Sequence, residues 1–158
     1  MMIKIIRVLF LCQIFLFFQQ HMFAGELSVT TSETKKQNFK KIYFAGGCFW
    51  CMEESFDKID GVVSSISGYS GGSLKNPSYE DVIYKDTGHV ETVEITYDSD
   101  KVTFNKLLDI YWKNIDPFDK YGQFCDKGKS YRSVIFIQNE NQKRIVNKSI
   151  KDLEKKFN

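Results

Sequence analysis

The chain has 158 residues, 42% hydrophobic and 27% charged, with only 10 Gly and 2 Pro; this is the composition of one globular domain and excludes a disordered, fibrous or multidomain protein. Its 14 Phe, 8 Tyr and 2 Trp can build a core without disulfide staples. Net charge is +2, and the excess is local, because Lys4 and Arg7 lie in an acid-free stretch and residues beyond 24 comprise 20 basic and 20 acidic side chains. A balanced body lacks the basic stripe that a phosphate backbone demands, which speaks against nucleic acid as a partner.

In chain order, the first feature is an address. Lys4 and Arg7 precede an apolar run, residues 8–18, after which Gln19, Gln20 and His21 restore polarity. The run is too short to span a bilayer but has the length and flanks of a secretory signal, with cleavage expected near Ala24-Gly25. Residues 1–24 are therefore assigned to a signal peptide and the protein to an exported, periplasmic or secreted location. Cys12 leaves with that segment, so Cys48, Cys51 and Cys125 remain, an odd number that leaves at least one thiol unpaired or reactive. Residues 25–39, rich in Ser, Thr, Lys and Gln without a period, read as a flexible linker ahead of a folded domain over 40–158.

Residues 41–45 form a short apolar run stopped by Gly46-Gly47, the pattern of a buried strand followed by a turn. From Cys48, the apolar residues Phe49, Met52, Phe56 and Ile59 recur at helical spacing until Asp60-Gly61 ends the helix. Residues 62–69 read as a second strand. The stretch 70–89, with Gly71-Gly72 and Asn76-Pro77, reads as a long loop of the kind that carries function. Val93, Ile95 and Tyr97 alternate with Glu94 and Thr96 in a third, half-buried strand. Thr103 opens a second amphipathic helix with Phe104, Leu107, Leu108 and Tyr111, closed by Ile115-Asp116-Pro117. A second long loop, 118–132, leads to a fourth strand at 133–137. Val146, Ile150, Leu153 and Phe157 then make the stripe of a last helix whose Lys-rich outer face is a solvated surface. This order of elements is that of an α+β, ferredoxin-like split βαβ sandwich, a largely antiparallel sheet with helices packed on it.

Cys48 follows two glycines at the strand-to-helix junction, where free backbone N–H groups and the positive end of the helix dipole favour a thiolate, the nucleophilic form. Cys51 lies one turn on, nearly on the same face, within reach of a sulfur oxidised at Cys48. Two small core cysteines in an aromatic helix are the plainer alternative. Phe49 and Trp50 can wall a pocket for a methyl-sized apolar group, although Phe49 shares the core periodicity of Met52 and Phe56. Glu91 has the parity of Val93, Ile95 and Tyr97, so in a regular strand its carboxyl faces the apolar side, where desolvation suits it to act as a general acid. A carboxyl reaching solvent from the strand's beginning is the other possibility. His89 fits a base and a turn residue after Thr87-Gly88 equally well. Tyr79 and Tyr131, within the long loops, and Asp126, beside Cys125, are polar residues able to converge on the same site.

At Gly46-Gly47-Cys48-Phe49-Trp50-Cys51-Met52-Glu53 the sequence resembles the peptide methionine sulfoxide reductase A family. The similarity continues through Gly61-Val62, Gly68-Tyr69-Ser70-Gly71-Gly72, Asn76-Pro77-Ser78-Tyr79, Asp86-Thr87-Gly88-His89-Val90-Glu91, Asp116-Pro117 and the run from Asp126 to Ser133. Several separated motifs in order are far more specific than a lone C-x-x-C. The resemblance implies an oxidoreductase, a peptide-methionine (S)-S-oxide reductase that repairs oxidised proteins. In it Cys48 attacks the sulfur of a methionine S-sulfoxide, free or in a protein, Glu91 protonates the departing oxygen, and Cys48 is left as a sulfenic acid. It implies also that Phe49 and Trp50 take the substrate methyl and that Tyr79, Asp126 and Tyr131 hydrogen-bond the sulfoxide oxygen or order the acid. A second thiol then condenses with the sulfenic acid, and thioredoxin or another dithiol reduces the disulfide. Cys51 is the first choice for that thiol and Cys125 the second. No metal or organic cofactor is required, and a monomer is expected. Family members commonly continue with an acidic, Tyr- and His-containing segment, and many carry resolving cysteines in a C-terminal tail, so the resemblance implies a shortened member, active or inactive. Two other readings stand beside it: a general dithiol oxidoreductase using Cys48 and Cys51, and a zinc module of Cys48, Cys51, Cys125 and His89.

Overall fold

The computed structural model describes residues 37–157. The expected signal peptide, 1–24, and nearly all of the expected linker, 25–39, lie outside the described residues. Strand β1 (Phe39–Ala45) leads through a tight turn into helix α1 (Phe49–Asp57), followed by strand β2 (Val62–Ser70), a short helix α2 (Tyr79–Tyr84), strand β3 (Val90–Asp98) and helix α3 (Phe104–Lys113). A miniature hairpin of β4 (Gly122–Gln123) and β5 (Asp126–Lys127), a 3-10 turn (Lys129–Tyr131), strand β6 (Val134–Phe136) and helix α4 (Glu140–Phe157) complete the chain order. The strands β2, β3, β1 and β6 lie in that order in one antiparallel sheet. This is the split βαβ arrangement: β1 and β2, joined by α1, run parallel with β3 inserted between them.

The period-2 alternation of β1 and β3 decides where the helices pack. Phe44 stands opposite Val93 and Ile42 opposite Ile95, all of them at or below 1% exposure. Onto this face fold Phe49, Met52 and Phe56 of α1 and Leu107, Leu108 and Tyr111 of α3. The Phe44 ring lies 5.7 Å from that of Phe56 and 4.7 Å from that of Tyr111. Burying side chains of this size stabilises by about 1.5–3 kcal/mol each, so this strip holds the sheet and two helices in one geometry. On the other face Tyr43 donates its hydroxyl to Glu94 at 2.6 Å, and Lys41 pairs with the same carboxylate at 2.5 Å, polar contacts suited to the wetter side of a pleated strand. Glu53 of α1 accepts the Ser67 N–H at 3.1 Å and the Ser67 hydroxyl as well, which clips the helix to the edge strand β2.

Several details differ from the sequence reading. Strand β1 begins at Phe39 because Phe39 and Lys40 pair with Asp98 and Tyr97 at the far end of the longer β3. The expected loop 70–89 contains α2, which starts with a reciprocal cap: the Asp81 N–H donates to the Ser78 hydroxyl at 3.1 Å, and the Ser78 N–H donates to the Asp81 carboxylate at 2.9 Å. Six residues are too few for an apolar period to show. Strand β3 is buried on both faces at its start, Val90, Glu91, Thr92 and Val93 being at or below 2% exposure, because it is an inner strand and the 3-10 turn also packs against it. Among the described residues no helix is long and apolar enough to cross a membrane.

Candidate active site

Residues 45–48 carry the chain from β1 into α1 in very little space. A Cβ on Gly46 would lie 2.6 Å from Ile115, and one on Gly47, whose φ is +83°, would lie 2.8 Å from the Gln123 side chain. The pair is glycine because side chains do not fit there. Tyr111 donates its hydroxyl to the Ala45 carbonyl at 2.8 Å, so the last strand carbonyl is satisfied inside the core. Cys48 then occupies the N-cap of α1 and makes no side-chain cap of its own. The Phe49 N–H donates instead to Glu91 Oε2 at 2.9 Å, across 42 positions of sequence. A carboxyl from β3 thus caps the helix beside the thiol.

That placement sets the electrostatics. Glu91 is 2% exposed, and burial raises its carboxyl above the ordinary value; the Phe49 N–H draws it part of the way back, and the nearby Asp126 charge pushes it up again. The Cys51 thiol is raised first by its hydrogen bond to Cys48 and then by burial, with Asp126 contributing. Cys51 is thereby biased toward its protonated thiol form, one helical turn from Cys48. Cys48 is half-buried, Cys51 and Cys125 are exposed, and all three are free thiols. Tyr131 is raised by burial and by its hydrogen bond to Tyr79, with Glu91 and Asp126 adding to the effect. Tyr69 is raised by burial, Glu91 and Tyr79. The shared perturbers show that these groups surround one site.

Its apolar wall is aromatic. The rings of Phe49 and Trp50 lie 5.1 Å apart, Phe49 is 5.6 Å from Tyr69, and Trp50 stacks on Tyr79 at 6.1 Å with 14° between the planes. Phe49 belongs to the core and is 5% exposed, whereas Trp50 is 61% exposed. Phe49 is thus the floor of the box and Trp50 a wall that faces solvent. Rings on one side and hydroxyls on another suit a small apolar group carrying a polar atom.

A family model described as peptide methionine sulfoxide reductase matches residues 40–158. The chain belongs to this family. It is 50% identical over 115 residues to the peptide methionine sulfoxide reductase MsrA of Streptococcus uberis, which covers 73% of this chain and 68% of that one. With the MsrA of Halalkalibacterium halodurans it shares 48% identity over 120 residues, covering 76% of this chain and 68% of that one. Among solved structures, methionine sulfoxide reductase A of Corynebacterium diphtheriae superposes with a TM-score of 0.67 at 34% identity, covering 73% of this chain and 55% of that one. Mxr1 from Saccharomyces cerevisiae in reduced form gives a TM-score of 0.68 at 28% identity, covering 77% and 75%. The chain spans about two thirds of the length of the curated relatives it matches.

In this reductase-family fold Cys48, Phe49, Trp50, Cys51, Tyr79, Glu91, Asp126 and Tyr131 are linked by contacts or shared charge effects, whereas Cys125 is an exposed thiol in the turn between β4 and β5 and His89 is engaged elsewhere. His89 Nδ1 accepts the Gly72 N–H at 3.2 Å, so Nε2 carries the proton and donates to the Leu74 carbonyl at 2.9 Å. Both nitrogens are committed to backbone, and His89 secures the loop after β2 rather than serving as a base or a zinc ligand. Among the described residues no group of three or more His, Cys, Asp or Glu side chains is arranged to hold a metal ion. Two residues escaped the sequence reading. Tyr69 stands directly opposite Glu91 in the β2–β3 register and so shares its face. Gln123, 1% exposed, accepts the Asp116 N–H at 2.6 Å and donates to the Asp116 carbonyl at 2.8 Å. It pegs the β4–β5 hairpin, and with it Asp126, against Gly47. A single Gln in a loop carries no signal in sequence; its role exists only once Gly47 packs on it.

Proposed function

We propose that this chain reduces methionine S-sulfoxide, free or in oxidised proteins, to methionine, with Cys48 as the nucleophile. The observation that carries the reading is the Glu91 carboxyl, buried, biased toward its protonated form and held by the Phe49 N–H beside Cys48. In the first step the Cys48 thiolate attacks the sulfoxide sulfur while Glu91 gives its proton to the oxygen. The bond formed between Cys48 and the substrate sulfur then breaks together with the substrate S–O bond as the hydroxyl passes to Cys48, and methionine and a Cys48 sulfenic acid remain. Phe49 and Trp50 hold the substrate methyl, and Tyr79, Asp126 and Tyr131 orient the oxygen or the acid. Cys51, one helical turn from Cys48, next attacks the oxidised sulfur, and the hydroxyl leaves as water with the Cys51 proton. A dithiol of the thioredoxin type reduces the resulting disulfide. Cys125, exposed beside Asp126, is the second candidate for the resolving thiol.

The test is turnover of S- and R-sulfoxides by the wild type, Cys48→Ser, Cys51→Ser and Glu91→Gln. With dithiothreitol, the S-form alone should be consumed, and Cys48→Ser should be inactive. Cys51→Ser should keep a first turnover and lose recycling by thioredoxin. Full activity in Cys48→Ser, or equal use of both stereoisomers, overturns the reading. The N-terminal pattern supports export as a further part of this proposal. N-terminal sequencing of the secreted protein should begin near Gly25.

A further inference from the structure

The hairpin and 3-10 turn that deliver Asp126 and Tyr131 also present a second set of side chains. Lys127 follows Asp126, Arg132 follows Tyr131, and together with Lys120 and Lys129 they line a cleft of about 700 Å³. Its charge is one-sided, since Asp86 is the single acid in the lining. Lys129 pairs with Asp86 at 2.5 Å, and Lys127 pairs with Asp119, outside the lining. Lys120 and Arg132 are left in excess. The Lys120 Nζ lies 4.9 Å from the centre of the Tyr121 ring, and Arg132 uses one of its donors, Nε, on the Lys129 carbonyl at 2.9 Å.

We propose that this cleft is a subsite for an acidic side chain flanking the oxidised methionine of a peptide substrate. The inference rests on the reductase reading above. With a methionine side chain seated in the aromatic box, the neighbouring residues of an extended peptide follow at about 3.3 Å each. The 126–132 segment turns Asp126 and Tyr131 toward the site on one face and lines the cleft with Lys127 and Arg132 on the other. A peptide that passes over this segment from the first face to the second meets the cations, and an aspartate or glutamate there is the charge-complementary residue. Exposed pairs of this kind act on capture and selectivity rather than on the chemical step.

The test uses the full chain with dithiothreitol as reductant and short peptides in which methionine S-sulfoxide is flanked by Asp, Ser or Lys. The wild type should favour the Asp peptide over the Ser peptide about fivefold in kcat/KM at low salt, with the Lys peptide below both. High salt should flatten the ranking. The Lys120→Gln/Arg132→Gln double variant should lose the ranking while turning over the Ser peptide at the wild-type rate. Equal kcat/KM for Asp and Ser peptides in the wild type overturns the subsite, as does a preference that survives in the double variant. A defect of the double variant confined to recycling by thioredoxin also overturns it, since the cleft then receives the reductant. Absence of turnover on all three peptides overturns the reductase reading itself and is distinct from a loss of ranking alone.

Discussion

Helices α1 and α4 are both amphipathic, yet their apolar stripes are covered to different degrees. In α1, Phe49, Met52 and Phe56 are all at or below 5% exposure; in α4, Val146 is 3% exposed while Ile150 is 37% and Phe157 58% exposed. Helix α1 packs on β2 and β3. Helix α4 is held through Val146, a hydrogen bond from the Trp112 indole to Ser149 at 2.7 Å and the edge contact of Phe157 with Phe118. Its distal half borders an apolar groove of about 500 Å³ lined by Trp112, Phe118, Ile135 and Ile150. Local stability follows buried contact, so the helix that begins at Cys48 is fixed by the core whereas the end of α4 opens more readily. The distance between Cys48 and Glu91 is thus set by the best-packed part of the molecule.

The contrast can be tested from its strongest consequence downward. Glu91→Gln should lower sulfoxide turnover by about 10²–10⁴-fold, the usual worth of a general acid, while keeping an acceptor for the Phe49 N–H. Its effect on stability has the opposite sign. A carboxyl raised in the folded state contributes stability fully below its ordinary value of 4.5, and that contribution is lost as pH rises through the folded value. The variant should therefore melt above the wild type at neutral pH, with the gap closing toward pH 4.5; a Tm series across pH reads this directly. Phe56→Ala, at a fully buried position of α1, should cost about 3–5 kcal/mol in urea denaturation.

Smaller effects sharpen the same comparison. Gly47→Ala should cost about 1–3 kcal/mol, because the residue has φ +83° and its Cβ would meet Gln123 at 2.8 Å. The loss should appear in stability and in turnover together, since the same turn places Cys48. Ser78→Ala removes the cap of α2 and should cost about 1 kcal/mol, with KM rising more than kcat falls as Tyr79 loses its support. Ile150→Ala should cost under about 1 kcal/mol. A loss there equal to that of Phe56→Ala would mean that the end of α4 is as firmly packed as α1, and the contrast would fail.

Much of this was legible in the amino-acid order. The stripe of Phe49, Met52 and Phe56 located α1, Gly46-Gly47 marked its beginning, and the parity of Glu91 with Val93, Ile95 and Tyr97 predicted a buried carboxyl, which lies at 2% exposure. Helix α2 was hidden because its evidence is a capping pair rather than a period. The two-sided burial of β3 was hidden because alternation reports one face only, and the second cover comes from the distant 3-10 turn.

By itself the sequence determined the long helices and strands that frame the site, the thiol at a helix start and the inward parity of the acid, because each depends on residues within a single element, whereas the short elements inside the two long loops carry no period of their own. Only the tertiary structure decided that Glu91 caps α1 from 42 residues away, that Tyr69 stands opposite it, that Gln123 pegs the hairpin and that His89 is bound to a loop. Those contacts depend on strand register and on packing between elements, which the whole sheet selects and no local propensity encodes.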